Sequence, residues 1–240
     1  MTTYISKKTI SRLVNDIKQI RSNPLHDNGI YYFHDDTDML KGYALIIGPE
    51  NTPYNYGYYL FSIDYPANYP FSPPKFTYHT NDGKTRFHPN LYVNGKVCVS
   101  ILNTWKGEQW TSCQTISSVL LTLCSLLDSM PLINEPGISI NHRDNSNYNK
   151  IVAYRNIEVA ICNIMEEKLI CEWFIKFKDI INKNFIKNYE NIIQIINKNI
   201  IENVDSSNVL NTSIYNLYCI SDYSKVKRRI ELIGKNLGCI

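Results

Sequence analysis

The cysteines of this sequence form no pair of the kind that builds a disulfide framework or a zinc site. There are seven, an odd number, scattered along the chain without a Cys-x-x-Cys motif, so both kinds of site are poorly supported. No apolar run approaches the roughly 20 residues of a membrane span, and the first residues lack a signal-peptide core. These absences predict a protein of a reducing compartment, cytoplasmic or nuclear, without a membrane partner.

The net charge is too small to argue for nucleic acid as a partner. Lys and Arg number 25 against 22 Asp and Glu, a formal charge of +3 over 240 residues. With 44% hydrophobic residues, the chain can bury a core domain and still carry an extension. Its frequent Asn, Ile, Lys and Tyr are typical of an AT-rich genome, such as that of a protist or a large DNA virus.

One helix and four short strands are predicted at the start of the chain. Apolar residues recur at helical spacing from Ile10 to Ile20, and Lys7, Lys8 and Arg12 lie elsewhere on the helical wheel. Four runs rich in aromatic and β-branched residues follow: "GIYYFH" (29–34), "KGYALIIG" (41–48), "YYLFSIDY" (58–65) and "KFTYHT" (75–80). Strands in direct succession, joined by turns, predict an antiparallel meander and an α+β fold.

Helices are predicted over most of the remaining chain. Segments 111–127 and 147–167 carry apolar residues at helical intervals, and a long helix is predicted across 171–204. Segment 204–213 looks like a linker, and a short helix is expected to close the chain.

The long helix carries an apolar stripe that needs a partner. Phe174, Phe177, Ile181 and Phe185 recur at intervals of three and four, and burying each large side chain is worth roughly 1.5 to 3 kcal/mol. We therefore expect a core domain of residues 5–165 and a C-terminal helical extension, residues 166–240, that packs on it.

The candidate nucleophile is Cys98, in the stretch "RFHPNLYVNGKVCVSILNTW" (86–105). A nucleophilic cysteine must be reachable and ionisable, which suits an irregular segment beside a groove. Lys96 is near enough in sequence to assist a thiolate. The other six cysteines are expected to be buried and inert. His88 could act as a base on paper, but a histidine held before Pro89 in a turn is more often structural, and no Cys-His-Asn protease pattern is present.

Five separated motifs together are typical of one enzyme family. They are "GPENTPYNYGYYLFSIDYPANYPFSPPKF" (48–76), "HPN" (88–90), "NGKVCVSIL" (94–102), Trp110 and "TISSVLLTLCSLL" (115–127). In these motifs the chain resembles the ubiquitin-conjugating enzymes. The resemblance covers residues 7–165, about two thirds of the chain. It is greatest to the larger members with an "NEPG" loop and added C-terminal helices. It implies a UBC-like fold: an N-terminal helix, the four-stranded meander, a crossover helix and extra C-terminal helices.

The resemblance also implies roles for individual residues. Cys98 would carry the modifier as a thioester, and Asn90, eight positions earlier, would stabilise the oxyanion when an amine attacks. An asparagine that only knits the loop through its own backbone is the alternative for Asn90. His88 and Pro89 would shape the turn. Glu135 in "PLINEPG" would position the incoming lysine, although a solvated loop carboxylate is also compatible with the sequence.

Two surfaces are implied in the same way. Phe71 of "YPFSPP" and Ser112 correspond to the ligase-binding loops, while Lys7, Lys8 and Arg12 correspond to the helix on which the activating enzyme docks. The sequence departs from the family pattern at Ser100, where an aspartate is frequent, and at residues 111–113, where Ser-Pro-Ala is common. Because of the second departure, the prediction of ligase binding has less support than the prediction of thioester chemistry.

The resemblance predicts a ubiquitin-conjugating enzyme that passes ubiquitin from an activating enzyme to lysines of protein substrates or to a ligase, with no metal or organic cofactor. Two alternatives remain. The chain could be a non-catalytic relative that presents ubiquitin, although such relatives lack the cysteine. It could also carry another ubiquitin-like modifier, which the sequence does not distinguish.

Overall fold

The computed structural model describes residues 5–169, 172–202 and 209–240. Its first element is helix α1, Lys7–Ser22. The Ser6 hydroxyl accepts a hydrogen bond from the backbone N–H of Thr9 and caps the helix. Leu13 and Ile20 are buried on the inner face, so α1 is amphipathic as its spacing predicts.

The sheet is a four-stranded antiparallel meander in the order β1-β2-β3-β4. Its strands are Ile30–His34 (β1), Lys41–Ile47 (β2), Tyr58–Asp64 (β3) and Lys75–Tyr78 (β4). Nearly every residue of β2 and β3 is buried, which requires cover on both faces of the sheet. The predicted α+β meander is confirmed.

Helix α2, Ile116–Leu126, begins five residues later than the sequence pattern predicts. Thr115 and Ser118 form a capping box that starts the helix at this point. The stretch between β4 and α2 is largely irregular, with one 3₁₀ turn at Ser100–Leu102. It carries the cysteine motif.

Three further helices follow α2 in the described part of the chain. They are α3, Asp144–Arg155, which continues as a π-helical segment over Asn156–Asn163, then α4, Ile175–Glu202, and α5, Tyr223–Asn236. Short 3₁₀ segments lie at His26–Asn28, Pro131–Asn134 and Glu172–Phe174. Within the described ranges, no helix combines the length and the apolar character needed to cross a membrane.

A small hairpin in the C-terminal region was not predicted. Strands Val209–Asn211 (β5) and Tyr218–Ile220 (β6) pair antiparallel, and a turn at Ile214–Asn216 joins them. The predicted linker 204–213 is therefore wrong from residue 209 onward, while its first part lies outside the described residues.

Helix α4 covers one face of the meander. The Phe177 ring packs edge-on against Phe33 of β1 at 5.0 Å, and the Trp173 ring stacks on Tyr43 of β2 at 4.7 Å. The stripe Phe174, Phe177, Ile181 and Phe185 is buried. At the far end, the Arg229 guanidinium of α5 forms an ion pair with Glu166. The ring contacts of Trp173 and Phe177 join the C-terminal extension to the sheet, while the division at residue 165 stays a prediction.

Candidate active site

Cys98 lies in irregular backbone between the Val97 bridge and the 3₁₀ turn. Its backbone N–H donates to the Asn90 carbonyl at 2.9 Å, and its Sγ lies 2.8 Å from the Thr104 carbonyl oxygen. The irregular setting agrees with the sequence prediction, but the expected accessibility does not, because Cys98 is only 3% exposed.

An exposed loop, residues 103–109, accounts for this burial. The Thr104 hydroxyl accepts from the Val99 N–H at 2.9 Å and lies within 3.1 Å of the Val97 and Val99 carbonyls. These bonds hold the Thr104 carbonyl over the sulfur. Only a thiol group that carries its hydrogen can donate to that carbonyl. Lys96 is exposed, and its ammonium lies 5.6 Å from the Tyr92 ring centroid.

Asn90 is tied directly to the backbone of the cysteine. Its side-chain Nδ2 donates to the Cys98 carbonyl at 2.5 Å. An amide nitrogen carries two hydrogens, so one donor remains after this bond. The interval of eight residues thus corresponds to direct contact between Asn90 and Cys98.

His88 is a structural residue of the turn in this geometry. It is fully buried, and its Nδ1 accepts the Asn90 backbone N–H at 3.0 Å. Burial lowers the pKa of His88 to about 3, and the positive charge of Arg86 acts in the same direction. A neutral imidazole whose Nδ1 is already occupied is not available as a base for the cysteine.

Arg86 braces the turn, although the sequence reasoning did not single it out. Its Nε donates to the His88 carbonyl at 3.1 Å and its Nη2 to the Pro89 carbonyl at 2.6 Å. Its guanidinium carbon lies 3.4 Å from the Tyr92 ring centroid and 5.0 Å from that of Tyr215. Its position directly before Phe87 and the His-Pro-Asn turn was the only signal in the sequence.

Glu135 is half-buried and hydrogen-bonded rather than freely solvated. It follows the 3₁₀ turn Pro131–Asn134, and its Oε2 accepts a hydrogen bond from the Tyr215 hydroxyl group. Burial raises the pKa of Tyr215, and the bond to Glu135 and its charge raise it further. No local pattern in the sequence pointed to Tyr215.

The comparison with protein-family models decides the family. The model described as "Ubiquitin-conjugating enzyme" matches residues 12–156, which include the sheet, Asn90, Cys98 and Glu135. The chain belongs to the ubiquitin-conjugating enzyme family. The resemblance expected from the sequence is therefore confirmed.

Curated relatives give the same family. Human "Ubiquitin-conjugating enzyme E2 Z" is 40% identical over 182 residues, covering 75% of this chain and 50% of the relative. The zebrafish (Danio rerio) protein of the same name is 39% identical over 191 residues, covering 77% of this chain and 56% of the relative. The chain spans about half the length of these curated relatives.

A more distant match is to part of a much larger human protein. "Dual E2 ubiquitin-conjugating enzyme/E3 ubiquitin-protein ligase BIRC6" is 37% identical over 161 residues, which cover 62% of this chain and 3% of that protein.

The loops that would bind a ligase in this family are linked to each other. The Trp110 indole N–H donates to the Pro70 carbonyl at 2.7 Å, next to Phe71, whose side chain is 72% exposed. Ser112 is also exposed. Both predicted ligase-surface residues therefore lie on exposed loops that a buried hydrogen bond connects.

The three residues of α1 predicted to meet the activating enzyme do not share one environment. Lys7 and Lys8 are exposed, whereas the Arg12 guanidinium donates to the Ser112 and Gln114 carbonyls at 2.5 Å each and to Asp16 at 2.9 Å. Arg12 is thus engaged in holding the loop that carries Ser112, and of these three residues Lys7 and Lys8 are the freer cations.

The remaining cysteines differ in exposure. Cys162 and Cys219 are buried, and burial raises the pKa of each thiol, for Cys162 to about 12. Cys124 and Cys239 are intermediate, and Cys113 is exposed. The expected burial is therefore wrong for Cys113, which lies in the loop before α2 rather than within a helix. Cys171 lies outside the described residues.

Proposed function

We propose that this chain is a ubiquitin-conjugating enzyme that carries its modifier as a thioester on Cys98. The Cys98 thiolate attacks the thioester carbonyl that joins the modifier to the activating enzyme. A new C–S bond forms, the old one breaks, and the activating enzyme leaves as a thiolate. No metal or organic cofactor takes part.

In the second half-reaction the neutral amine of a lysine attacks the Cys98 thioester. A C–N bond forms, the Cys98 thiolate leaves, and the amine loses a proton to solvent or to Glu135. Asn90 donates its free amide hydrogen to the oxyanion that develops on the carbonyl. A ligase cysteine can take the place of the lysine, in which case thiol exchange is repeated.

The observation that carries the proposal is the direct contact between the Asn90 amide and the Cys98 backbone. This contact holds the Asn90 amide, the proposed oxyanion donor, beside Cys98. Ubiquitin is the modifier named for the relatives, and another ubiquitin-like modifier is compatible with the same site.

The resemblance to the family implies the partners, and the exposed surfaces are compatible with them. The activating enzyme would dock on α1 near Lys7 and Lys8, and a ligase would bind the loops of Phe71 and Ser112. Protein substrates would supply the lysine near Glu135. A reducing compartment, cytoplasmic or nuclear, suits this chemistry, and every cysteine in the described part of the chain is free.

The test is a charging assay with purified activating enzyme, ATP and a panel of modifiers, read on non-reducing gels. We expect an adduct that reducing agent removes, no adduct with Cys98→Ala, and a stable oxyester at most with Cys98→Ser. Cys113→Ser is the matched control, because Cys113 is the exposed cysteine among those that the structure describes, and it should charge normally. A reducible adduct on Cys98→Ala would contradict the proposal, and no charging with any modifier would favour a non-catalytic binding role.

A further inference from the structure

The turn between β5 and β6 is anchored on the amino-terminal end of α3. The Asp144 carboxylate accepts hydrogen bonds from the Ser213 hydroxyl at 2.7 Å and from the Ile214 backbone N–H at 2.9 Å. Asn147, one turn along α3, donates to the Asn211 carbonyl at 2.9 Å. A segment about 70 residues away in sequence is thereby fixed beside the loop that follows α2.

This anchoring directs Tyr215 into the candidate active site. Its backbone has a φ of 62°, a left-handed conformation that side-chain-bearing residues adopt at a cost in free energy. The half-buried side chain places its hydroxyl group on the Glu135 carboxylate. The surrounding contacts therefore maintain an unfavourable backbone conformation, which aims the phenol at the acidic loop.

The ring of Tyr215 also faces the brace of the His-Pro-Asn turn. The Arg86 guanidinium carbon lies 3.4 Å from the Tyr92 ring centroid and 5.0 Å from that of Tyr215, both within the range of cation–π attraction. Arg86 in turn donates to the His88 and Pro89 carbonyls. Tyr215 thus contacts the acidic side chain directly and reaches the turn that bears Asn90 through Arg86.

We propose that Tyr215, from the C-terminal extension, is a positioning residue for the transfer of the modifier to lysine. It holds Glu135 by one carboxylate oxygen and leaves the other for the incoming amine. The inference rests on the proposed function, because it assigns Tyr215 to the second half-reaction of that chemistry. It also gives the extension a part in the reaction besides packing on the sheet.

The second carboxylate oxygen of Glu135 is the one that can bind the lysine amine. Among the described residues, no group hydrogen-bonds Glu135 Oε1, while Oε2 is occupied by the phenol. A carboxylate held at one oxygen has fewer orientations open to it, so the other oxygen meets a lysine amine in one preferred geometry. Charging at Cys98 involves no amine, so it does not depend on this contact.

The test compares Tyr215→Phe with Tyr218→Phe. Tyr215→Phe removes the hydroxyl group and keeps the ring beside Arg86, and Tyr218, which is 62% exposed on β6, is a matched control in the same hairpin. Each full-length variant is charged, the activating enzyme is then stopped, and discharge to free lysine is followed over a range of lysine concentrations.

We expect Tyr215→Phe to charge like the unaltered chain but to discharge about five- to tenfold more slowly at low lysine, the size of effect of one typical intramolecular hydrogen bond. The lysine concentration for half-maximal discharge should rise, which a general loosening of the fold would not produce alone. Tyr218→Phe should match the unaltered chain in both half-reactions.

A double variant separates positioning from a general effect. If Tyr215 acts by holding Glu135, then adding Tyr215→Phe to Glu135→Ala should cause no further loss. If the two substitutions reduce the discharge rate independently, so that their effects multiply in the double variant, the inference is overturned. Normal or faster discharge by Tyr215→Phe would overturn it as well. A chain that never charges contradicts the proposed function, whereas a charged Tyr215→Phe that discharges normally contradicts only the role of Tyr215.

Discussion

Asn90 and Cys98 are joined by two hydrogen bonds that run in opposite directions. The Cys98 N–H donates to the Asn90 carbonyl, and the Asn90 side chain donates to the Cys98 carbonyl. The two bonds restrain the position of the Asn90 side-chain amide relative to Cys98, the residue that would carry the thioester. Asn90 therefore stabilises the loop through the backbone of Cys98, while its role toward the oxyanion stays a proposal.

Replacing Asn90 with alanine should slow discharge far more than charging. The amine-attack transition state loses an oxyanion donor, a change worth about 10²- to 10³-fold in rate, while thiol exchange has a better nucleophile and leaving group. Single-turnover discharge to free lysine and the charging rate are measured on the same protein. Asn191→Ala, at an exposed position of α4, is the control. Equal slowing of both half-reactions would point to a purely structural role for Asn90.

Replacing Arg12 with alanine should destabilise the chain, unlike changes at Lys7 and Lys8. Loss of the bonds to Ser112, Gln114 and Asp16 should cost about 2 kcal/mol, or about 4 to 8 °C in Tm. Lys7→Ala and Lys8→Ala should instead leave Tm unchanged and slow charging in a salt-dependent way. An Arg12→Ala protein that melts normally would show that the loop does not depend on this guanidinium.

Replacing Phe177 with alanine should destabilise the whole fold. Phe177 is fully buried against Phe33, and truncating a buried Phe costs about 3 to 5 kcal/mol. Ile175→Ala is the control on the same helix because Ile175 is 72% exposed. Denaturant unfolding followed by circular dichroism measures both variants.

A truncation after Glu167 tests the same packing on a larger scale. It uncovers the sheet face occupied by α4, including Tyr43, so solubility or Tm should fall, while Cys98 and Asn90 remain and some thioester should form. A truncated protein that melts like the full chain, together with rapid proteolytic loss of residues 168–240, would identify the extension as an independent appendage.

Acidification should weaken the fold through His88. Its pKa is about 3 in the folded chain against 6.5 for an ordinary histidine, so the unfolded chain binds the proton first. The stabilisation is complete above pH 6.5 and is lost as the pH falls toward 3, by about 1.4 kcal/mol per pH unit, or about 2 kcal/mol at pH 5.

Comparison with His88→Asn isolates this contribution from that of the other histidines. The asparagine oxygen can still accept the Asn90 N–H but does not titrate, so the variant should be less stable at pH 8 and lose less stability between pH 8 and pH 5. Parallel pH profiles of unfolding free energy for the two proteins would contradict the assignment.

The elements predicted correctly are those whose signals are local. The four strands and α1 each show a hydrophobic pattern within a few consecutive residues. The interval of eight residues from Asn90 to Cys98 is likewise short enough to be read directly from the sequence. The apolar pattern predicted that α2 starts at residue 111. The capping box of Thr115 and Ser118 instead starts the helix at Ile116. Strands β5 and β6 have three residues each, too few for a periodic signal.

By itself the sequence determined the first helix, the four-stranded meander, the family and the pairing of Asn90 with Cys98, since these depend on local patterns and a motif. Only the tertiary structure decided that Cys98 is covered, that Arg12 reaches Ser112 across 100 residues, and that Tyr215 reaches Glu135 across 80. Such contacts have no local signature, because they arise where the folded path of the chain brings distant segments within hydrogen-bond distance. The position of Tyr215 in particular depends on the hydrogen bonds that anchor its turn on α3, and no pattern in residues 209–217 predicts them.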